Sequence, residues 1–538
     1  MAPNRDHKVS ELVAFARFLA GVPRFVRRRM SAAEALGIIQ DRLKNRERNF
    51  LASVQNGIYG NPRSPYRALL EMAGCTHGDL RELVSRVGLE GTMQHLHARG
   101  VYVAFEEFKG IQPIVRGSKT IHTSPADFDN PTASRYYSTT TGGSTGAGRR
   151  VQLDLQHLED LLPSRILNRH VQGVLGIPAA SWSDLPPAGG LSGMLIQAAS
   201  GGRPTHWCVS RMGGPNATPL RFRLATFAAI IMARAAGAKV NFPKHVPFDR
   251  AIELAEWARD QVKREGAATI HASVSRILRI AIAAREAGID LTGVVLRGGG
   301  EPPTEAKVAQ IVASGARFVS GYAFSEVGSV GANCLNPSGP NDQHFMRDHL
   351  AMIQTPRRVP GFDIEVSSFC FTSLLPTSPK LLFNVESDDY GMVTNRSCGC
   401  TWEELGFPTH VTDIRSFRKL TGEGITLVGS DIERIIDEKL PARYGGSALD
   451  YQFTEEEDEK GFTRLVLRVA PHIALGDEAA ATDFVLDALD QGSGGRLVQA
   501  TWRQAGTVRI RREPPTVGGR GKVLPLDMRG RARAVKVS

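Results

Sequence analysis

Four consecutive segments near the middle of the chain decide the fold: ATIHAS (268–273), VSRILRIAIAAREAG (274–288), LTGVVLRGGG (291–300) and ARFVSGYAFSE (316–326). Short runs typical of strands alternate here with longer runs whose apolar residues have helical spacing. Strands joined in this way by helices pair in parallel through right-handed crossovers. Ligands of such sheets bind at the carboxyl ends of the strands, so the residues after each strand are the first place to look for a site.

The same alternation extends to both sides of these segments. FRLATFAAIIMARAAG (222–237), FDRAIELAEWARDQVKREG (248–266) and TEAKVAQIVASG (304–315) predict helices, and AKVNF (238–242) predicts a strand. Residues 8 to about 110 have helix-period apolar spacing with basic residues opposite, which predicts a helical region whose simplest role is packing support.

Beyond about residue 412 the pattern changes to shorter elements with many charges. SDIERIIDEKLP (430–441) and TDFVLDALDQG (482–492) predict helices, and LDYQFTEEEDEKGFTRLVLRVA (449–470) predicts a strand, an acidic turn and a strand. This mixture favours a small α+β domain. The fold class predicted for the whole chain is therefore α/β: a large N-terminal domain with mixed, mostly parallel sheets and helices, plus this smaller domain.

Charge and composition exclude several classes of protein. Apolar residues make up 42% of the 538 residues and charged residues 22%, which is ordinary for a globular protein and excludes disorder or fibre. The net charge is +11, but residues 505–538 contribute most of it, with nine basic side chains against Glu513 and Asp527. Because aromatic residues are only 7% and no nucleic-acid-binding motif is present, we expect no nucleic-acid partner.

The cysteines and the apolar segments point to a reducing compartment. Six scattered cysteines are too few for a secreted disulfide framework. The first apolar patch is interrupted by Glu11 and Arg17, unlike the core of a signal peptide, and the stretch Leu224–Ala238 contains Arg234 and is too short to span a bilayer. We expect a cytoplasmic protein with no membrane partner.

Five segments have residue types suited to binding a nucleotide. STTTGGSTGAGRR (138–150) is dense in glycines and hydroxyls that can wrap a phosphate, although it lacks the ending of a Walker A loop. LRGGGEPPT (296–304) and GYAFSEVG (321–328) each follow a predicted strand, and Glu326 is a carboxylate suited to Mg²⁺ beside a triphosphate. The others are ESDDYG (386–391) and EPPTVGGRGKVLPL (513–526). Each alone is more often a turn or a linker than a site.

A sixth feature is a set of metal-ligand residue types. Cys398 and Cys400 form a Cys-x-Cys pair, and Cys334 and His344 precede it, which gives the four nitrogen and sulfur ligands of a closed structural Zn²⁺ site. The spacing is not that of a zinc finger, and buried or loop thiols are the alternative. His349 competes with His344 as the histidine ligand.

Taken together and in this order, the segments resemble the adenylate-forming superfamily of acyl-CoA ligases and adenylation domains, most closely its phenylacetate–CoA ligase branch. The resemblance runs from about residue 130 to 525. The family's pyrophosphate loop, T-S-G-T-T-G-x-P-K, is similar to TGGSTGAGR (141–149), with Arg149 in place of the lysine. Its Y-G-x-S/T-E motif looks like residues 322–326, with Ala323 where glycine is usual.

The resemblance implies a role for each matched residue. Lys522 would bridge the carboxylate and the α-phosphate, Glu326 would hold Mg²⁺ and Arg149 would act beside them as catalytic residues. The implied ATP-binding residues are Thr141, Gly142, Gly143, Ser144, Thr145, Gly146, Gly299, Gly300, Glu301, Pro302, Tyr322, Ser325, Asp389 and Arg415. The branch's Cys-x-Cys supports zinc, and its usual Asp-His pair corresponds to Asp348-His349, which favours His344 as the ligand.

The resemblance also implies the domain division and the partners. It divides the chain into a helical region (1–110) packed on a large ATP- and carboxylate-binding domain (111–413), and a small mobile domain (414–538). The usual hinge aspartate is absent near residues 415–419, where IRSFRKLTGEG stands. The implied cofactors are ATP, Mg²⁺, structural Zn²⁺ and coenzyme A.

The implied reaction is activation of a carboxylic acid, by the branch an aryl acid, to an acyl-AMP. The acyl acceptor is coenzyme A, a carrier protein or an amine, and a second copy of the chain is a further expected partner, in a homodimer. His206, Trp207 and Phe324 are expected among the residues that line the acid pocket. Two alternatives stay open, a non-catalytic nucleotide-binding scaffold of the same fold and a polyanion-binding protein that uses the basic C-terminal segment.

Overall fold

The computed structural model describes residues 5–132, 137–141, 149–153, 155–186, 188–212, 218–301, 303–324, 326–358, 365–416, 419–422, 425–428, 432, 435–489, 495–516 and 525–527. The chain starts with helices, as predicted for the N-terminal region: α1 (Arg5–Val26), α2 (Ala32–Lys44), α3 (Arg46–Val54), α4 (Pro65–Met72), α5 (His77–Ala98) and α6 (Phe105–Phe108). Among the residues described, no helix has both the length and the apolarity needed to cross a membrane.

Strands and helices then alternate through the central region. The strands are β1 (Ile114–Arg116), β2 (Lys119–Ile121), β3 (Tyr137–Thr141), β4 (Arg149–Leu153), β5 (Ala179–Trp182), β6 (His206–Val209), β7 (Lys244–His245), β8 (Ala268–Ser273), β9 (Val294–Gly299), β10 (Arg317–Phe324), β11 (Gly328–Asn333), β12 (Gln343–Phe345), β13 (Leu350–Arg358), β14 (Glu365–Ser373), β15 (Val385–Asn395) and β16 (Thr409–Ser416). The helices are α7 (Leu155–Val171), α8 (Gly190–Ala199), α9 (Leu220–Ala235), α10 (Ile252–Glu265), α11 (Val274–Glu286), α12 (Glu305–Val312) and α13 (Thr401–Glu404).

A single large sheet organises this region. Its described strands lie in the order β13-β14-β15-β16-β12-β11-β10-β9-β8-β5-β6-β7. The pairings from β10 to β7 are parallel, and those from β10 to β13 are antiparallel. The predicted α/β class and mixed sheet are confirmed, whereas the expectation of mostly parallel pairing holds only for the half formed by β5–β10.

Helices cover the sheet through separate apolar cores. Phe50, Leu80 and Met93 from the N-terminal helices pack with Phe369 and Phe371 of the antiparallel half. Residues of α10 and α11 cover one face of the parallel half, where Ile270 and Leu296 are fully buried. Helices α1, α7, α8 and α9 share a further core around Trp207. The N-terminal helices therefore pack on the sheet, as the expected packing role requires.

A buried polar network ties the loops after β5 and β6 to helix α11. The Asp184 carboxylate accepts hydrogen bonds from the Arg276 guanidinium at 2.6 Å and the Ser210 backbone N–H at 2.7 Å, and Arg211 lies 3.6 Å away. Burial raises the pKa of Asp184, but the two arginines and Ser210 outweigh burial and hold that pKa well below its usual value. Asp184 is therefore ionised and its charge compensated.

The C-terminal part of the chain forms a second unit with its own core. Its elements are β17 (Lys419–Gly422), β18 (Ile425–Val428), a π-helical turn (Ile435–Lys439), α14 (Leu440–Tyr444), β19 (Tyr451–Glu457), β20 (Thr463–Val469), α15 (Glu478–Leu489), α16 (Gly495–Ala505), β21 (Val508–Arg512) and β22 (Leu526–Asp527). Four strands pair in the order β21-β20-β19-β22, and Tyr451, Phe453 and Trp502 are buried against them. The α+β composition agrees with the prediction.

The two units meet through the hairpin between β19 and β20. Lys307 of α12 is 2% exposed and donates a hydrogen bond to the Thr463 hydroxyl at 2.8 Å, while Thr304 donates to Glu457 at 2.7 Å. The large sheet continues to Ser416, past the predicted end of the large domain at residue 413. The division into domains stays a prediction.

One predicted strand is wrong. Residues 238–242 form no strand, and only Lys244–His245 pairs with β6. Pro243 lacks the N–H that a ladder needs, so pairing begins after it. The Asn241 side-chain amide instead donates to the Thr205 carbonyl at 3.1 Å, while Val240 is buried in the core.

Candidate active site

The carboxyl ends of β8, β9 and β10 meet at one edge of the sheet. Gly299 lies opposite Ser273 on one side and opposite Gly321 on the other. Gly300 then has a φ of 77°, a conformation that glycine adopts without strain and that turns the chain out of the strand. The structure thus brings two of the predicted nucleotide segments, 296–304 and 321–328, side by side.

Tyr322 and Asp389 are brought together across the sheet. The Tyr322 hydroxyl donates a hydrogen bond to Asp389 Oδ2 at 2.8 Å, although the two residues belong to β10 and β15. Burial and the Asp389 charge raise the pKa of Tyr322 well above its usual value, so the phenol keeps its proton and can donate. Arg415 lies on β16, opposite Tyr390 and next to the strand position of Asp389.

Glu326 and Asp389 line one small cavity of about 60 Å³. Phe324, Phe371 and Leu382 are among its apolar walls, and Glu386 is a third carboxylate in the lining. Glu326 is 3% exposed. Burying negative charge in a small, largely apolar cavity costs free energy unless a positive charge compensates it, so these carboxylates favour a cation nearby.

The cation in this cavity is Lys109, which sequence reasoning missed. Its ammonium lies 3.8 Å from Glu326 Oε1, and its side chain is 6% exposed. The rings of Phe105 and Phe108 lie 4.8 and 5.3 Å from the same ammonium. The motif FEEFKG (105–110) places two aromatic rings on the helix before the lysine, but nothing in the sequence showed that this helix reaches Glu326.

The glycine-rich segment begins and ends at paired residues. The backbones of Thr141 and Arg149 are opposite each other in the antiparallel ribbon of β3 and β4, so the two ends of the segment lie close together. The following predicted site residues lie outside the described part of the chain: Gly142, Gly143, Ser144, Thr145, Gly146, Pro302, Ser325 and Lys522.

Glu301 and the two expected pocket residues His206 and Trp207 all contact other side chains or backbone groups of the protein. Glu301 is buried and accepts a hydrogen bond from the Ser275 hydroxyl in the first turn of α11. Trp207 is 1% exposed and donates to the Ser183 carbonyl at 2.7 Å, so the expectation that it lines a pocket is wrong. His206 stacks on Trp257 at 5.5 Å, whereas Phe324 does line the cavity with Glu326.

The predicted metal ligands form a cluster away from this cavity. One ligand atom each from Cys334, His344, Cys398 and Cys400 lies within 4.8 Å of the others. His344 Nε2 is 3.1 Å from the Cys400 sulfur and 3.6 Å from the Cys398 sulfur. Three thiols and an imidazole within 4.8 Å of one another are a donor set suited to Zn²⁺, whose tetrahedral bonds place such atoms about 3.5–3.8 Å apart.

The surroundings of the cluster orient its ligands. His344 Nδ1–H donates to the Phe407 carbonyl at 2.6 Å, which leaves the Nε2 lone pair directed to the sulfurs, and burial lowers the pKa of His344 to about 4. Glu403 accepts hydrogen bonds from the backbone N–H groups of Cys398 and Gly399 at 2.8 and 2.7 Å. The competing His349 bonds instead to Asp348 and the Ser329 carbonyl, so its ring nitrogens are already used.

Comparison with known proteins found distant similarities to solved structures. No protein-family model and no curated protein matches the chain. A solved structure of 2-hydroxyisobutyryl-CoA ligase, in an open conformation with 2-HIB-AMP and CoA, has 16% identity and a TM-score of 0.41 and covers 93% of both chains.

Two other solved structures have similar scores. A double mutant of o-succinylbenzoate CoA synthetase (MenE) from Bacillus subtilis has 14% identity and a TM-score of 0.42, over 74% of this chain and 69% of that one. Amide bond synthetase McbA from Marinactinospora thermotolerans has 12% identity and a TM-score of 0.43, over 94% and 100%.

Proposed function

We propose that the protein activates a carboxylic acid with ATP, forming an acyl-AMP and releasing pyrophosphate, and then transfers the acyl group to a nucleophile. The acceptor is a thiol such as coenzyme A, a carrier-protein thiol or an amine, and the acid is an aryl acid. We place the enzyme in the cytoplasm, with a second copy of the chain as a partner.

One observation carries this proposal. Tyr322 and Glu326 come from one segment of the chain and Asp389 from another, yet Tyr322 bonds to Asp389, and Glu326 and Asp389 line the same cavity. The cavity lining includes Phe324 at the end of β10, the strand whose Gly321 lies opposite Gly299 at the end of β9. Residues picked out for one nucleotide chemistry thus lie together in the fold.

The chemistry explains why these residue types are needed. A carboxylate oxygen attacks the α-phosphate of ATP, the bond from that phosphorus to the bridging oxygen breaks, and pyrophosphate leaves with the electron pair. Two anions must approach, so neutralising groups lower the barrier. We assign Asp389 to the ribose, Glu326 to the Mg²⁺ that accompanies ATP, and Lys522 and Arg149 to the charge on the reacting phosphates.

We also propose that Cys334, His344, Cys398 and Cys400 hold a structural Zn²⁺. Four protein ligands complete a tetrahedral shell, which leaves no position open for a substrate. The cluster lies among the buried residues Trp402, Phe407 and Ile39. The metal would therefore fix the loop after β15 against the strands β11 and β12, without a chemical role.

The test is acid-dependent exchange of pyrophosphate into ATP, measured over a panel of aryl, amino-aryl and aliphatic acids. We expect exchange with one class of acid in the wild type. Glu326→Gln and Lys522→Ala should each lower the rate by about 10²- to 10³-fold, the usual effect of losing one charge-stabilising group.

Matched controls use exposed residues of α10. Glu256→Gln and Lys263→Ala make the same chemical changes on solvent-facing side chains and should leave the exchange rate within twofold of wild type. Exchange that survives in Glu326→Gln would contradict the proposed role of this site. ATP binding by the folded protein with no exchange for any acid would favour a nucleotide-binding scaffold.

A further inference from the structure

A cluster of basic side chains lies on one face of the parallel half of the sheet. Arg165 and Arg169 lie one turn apart on α7, and His271 of β8 is opposite Arg297 of β9 in the strand register. Desolvation is the main cause that lowers the pKa of Arg297 to about 9, and the charges of Arg169 and Arg165 add to it. Desolvation likewise lowers the pKa of His271 to about 3, with further contributions from the charges of Arg297, Arg165 and Arg169. The four groups therefore share one electrostatic environment.

The part of the chain that the structure describes contributes no carboxylate to this cluster. Arg297 Nε donates to the Gln172 side-chain oxygen at 2.8 Å, and Arg169 donates to the side-chain oxygen of Gln197, both of which are neutral. Within the described residues, Arg165, Arg169 and Arg297 form no ion pair with a carboxylate. All three arginines are half-buried, and their like charges repel one another, so an anion from outside the chain would offset that repulsion.

The sheet beside the cluster is open. Gly299 and Gly321 follow Arg297 and Val319 by two residues, so they lie on the same face as Arg297. Among the described residues, a Cβ atom at Gly321 would meet no atom within 4 Å, and one at Gly299 would meet the Gly321 carbonyl oxygen at 3.5 Å. Here the sheet presents bare backbone with free space above it.

Two side chains on this face are open to a ligand. The His271 side chain is exposed to solvent and lies on the same face as Arg297, so a ligand in this space can reach it. Ser273, two residues further on the same face, has an Oγ that is out of contact with solvent and has no hydrogen-bond partner within the described residues. A ligand on the glycine floor could supply one.

We propose that this cluster binds a second anionic group on the acid substrate, so that the enzyme activates one carboxylate of a dicarboxylic acid. This inference rests on the proposed function. Arg297 lies two residues, or about 7 Å, before the strand end at which the reacting carboxylate would meet ATP. A para-disubstituted benzene ring has a comparable span. The guanidinium forks would pair with the distant carboxylate while the near one attacks the α-phosphate.

The experiment compares matched acids in pyrophosphate exchange. Benzene-1,4-dicarboxylate is paired with 4-methylbenzoate, and hexanedioate with hexanoate, so that each pair differs by one negative charge. In the wild type we expect kcat/KM to favour the dicarboxylate by at least tenfold. Arg297→Gln should lower kcat/KM for the dicarboxylate by about 10- to 100-fold, the usual contribution of charge-assisted hydrogen bonds. It should leave the value for the monoacid and the KM for ATP unchanged.

Arg285→Gln is the matched control, because Arg285 is exposed at the end of α11. It should change none of these values. Arg297→Gln should also be at least as stable as the wild type, since it removes one of several mutually repelling charges. A lower melting temperature would indicate a structural arginine and would contradict the inference.

Three further results would overturn the inference. The first is a higher kcat/KM of the wild type for the monoacids. The second is a rise in the KM for ATP in Arg297→Gln, which would mean that the cluster holds nucleotide phosphates. If no acid supports exchange, the proposed function fails, and calorimetric binding of benzene-1,4-dicarboxylate decides the inference alone. Binding that Arg297→Gln abolishes supports it, and absent or unchanged binding is the third contrary result.

Discussion

Removing the cation beside Glu326 should reveal a strong, specific coupling between the two residues. Lys109 Nζ and Glu326 Oε1 are 3.8 Å apart, and the two side chains are 6% and 4% exposed. At this separation, with an effective dielectric constant of about 20, two unit charges attract by about 4 kcal/mol. Breaking a buried pair by removing one partner typically costs about 3–5 kcal/mol, because the other charge stays buried.

A double-mutant cycle isolates this interaction. Lys109→Met keeps the aliphatic chain over Phe105 and Phe108 but removes the charge, and Glu326→Gln removes the charge of the partner. We expect each single variant to lose stability and the double variant to lose about 2–4 kcal/mol less than the sum. The free energy of unfolding is measured by urea denaturation followed by far-ultraviolet circular dichroism.

A second ion pair in the same chain provides the control. Lys460 Nζ and Glu286 Oε1 are closer, at 3.2 Å, but their side chains are 62% and 65% exposed. Solvent screening should reduce the coupling in the cycle of Lys460→Met and Glu286→Gln to below about 1 kcal/mol. Equal couplings in the two cycles, or a coupling below about 0.5 kcal/mol between Lys109 and Glu326, would refute the reasoning from burial.

Three further outcomes are expected. Purified protein should contain about one zinc per chain by mass spectrometry. Cys400→Ser should lose this zinc, whereas Cys75→Ser should keep it, because the Cys75 thiol is buried outside the cluster. Equal zinc in the two variants would exclude the cluster as the metal site. Tyr322→Phe should raise the KM for ATP about threefold to tenfold and leave the KM for the acid unchanged, because it removes a hydrogen bond to Asp389 of about 1 kcal/mol; a change confined to the acid would contradict the ribose assignment. Asp184→Asn should lower the free energy of unfolding by about 3 kcal/mol at neutral pH, since two arginines lose their buried counter-ion. The folded-state pKa of Asp184 is depressed, so the stabilisation by its ionised form is present above the unfolded pKa of about 4 and is lost as the pH falls below that value. The stability lost in Asp184→Asn should therefore become smaller in urea titrations at acid pH. A loss of stability independent of pH would show that ionisation is not its cause.

The sequence predicted the fold best where a single periodicity controls each element. The strand predicted at 268–273 has the same bounds in the structure, and the helix predicted at 274–288 spans Val274–Glu286. In both, local propensity and burial favour the same conformation. At 238–242 apolar content alone suggested a strand, but Pro243 and the side-chain bond of Asn241 prevent pairing there.

The candidate site was predictable to the extent that its residue types are unusual. Four thiol and imidazole ligands are rare enough in sequence to indicate their cluster, whose closeness the structure bears out. Lysine and arginine are common in amphipathic helices and in strands, where their side chains usually face solvent, so nothing singled out Lys109, Arg165 or Arg297. Tertiary packing places Lys109 beside Glu326 and the arginines beside one another, and the local sequence does not predict these contacts.

Oxygen transfer from the acid to AMP tests the central claim most directly. The acid that supports exchange is labelled with ¹⁸O in its carboxylate and turned over with ATP and the acyl acceptor, and the AMP is analysed by mass spectrometry. If a carboxylate oxygen attacks the α-phosphate, one ¹⁸O remains in AMP after the acyl group is transferred. Unlabelled AMP, or label found in ADP or inorganic phosphate, would contradict activation through an acyl-AMP.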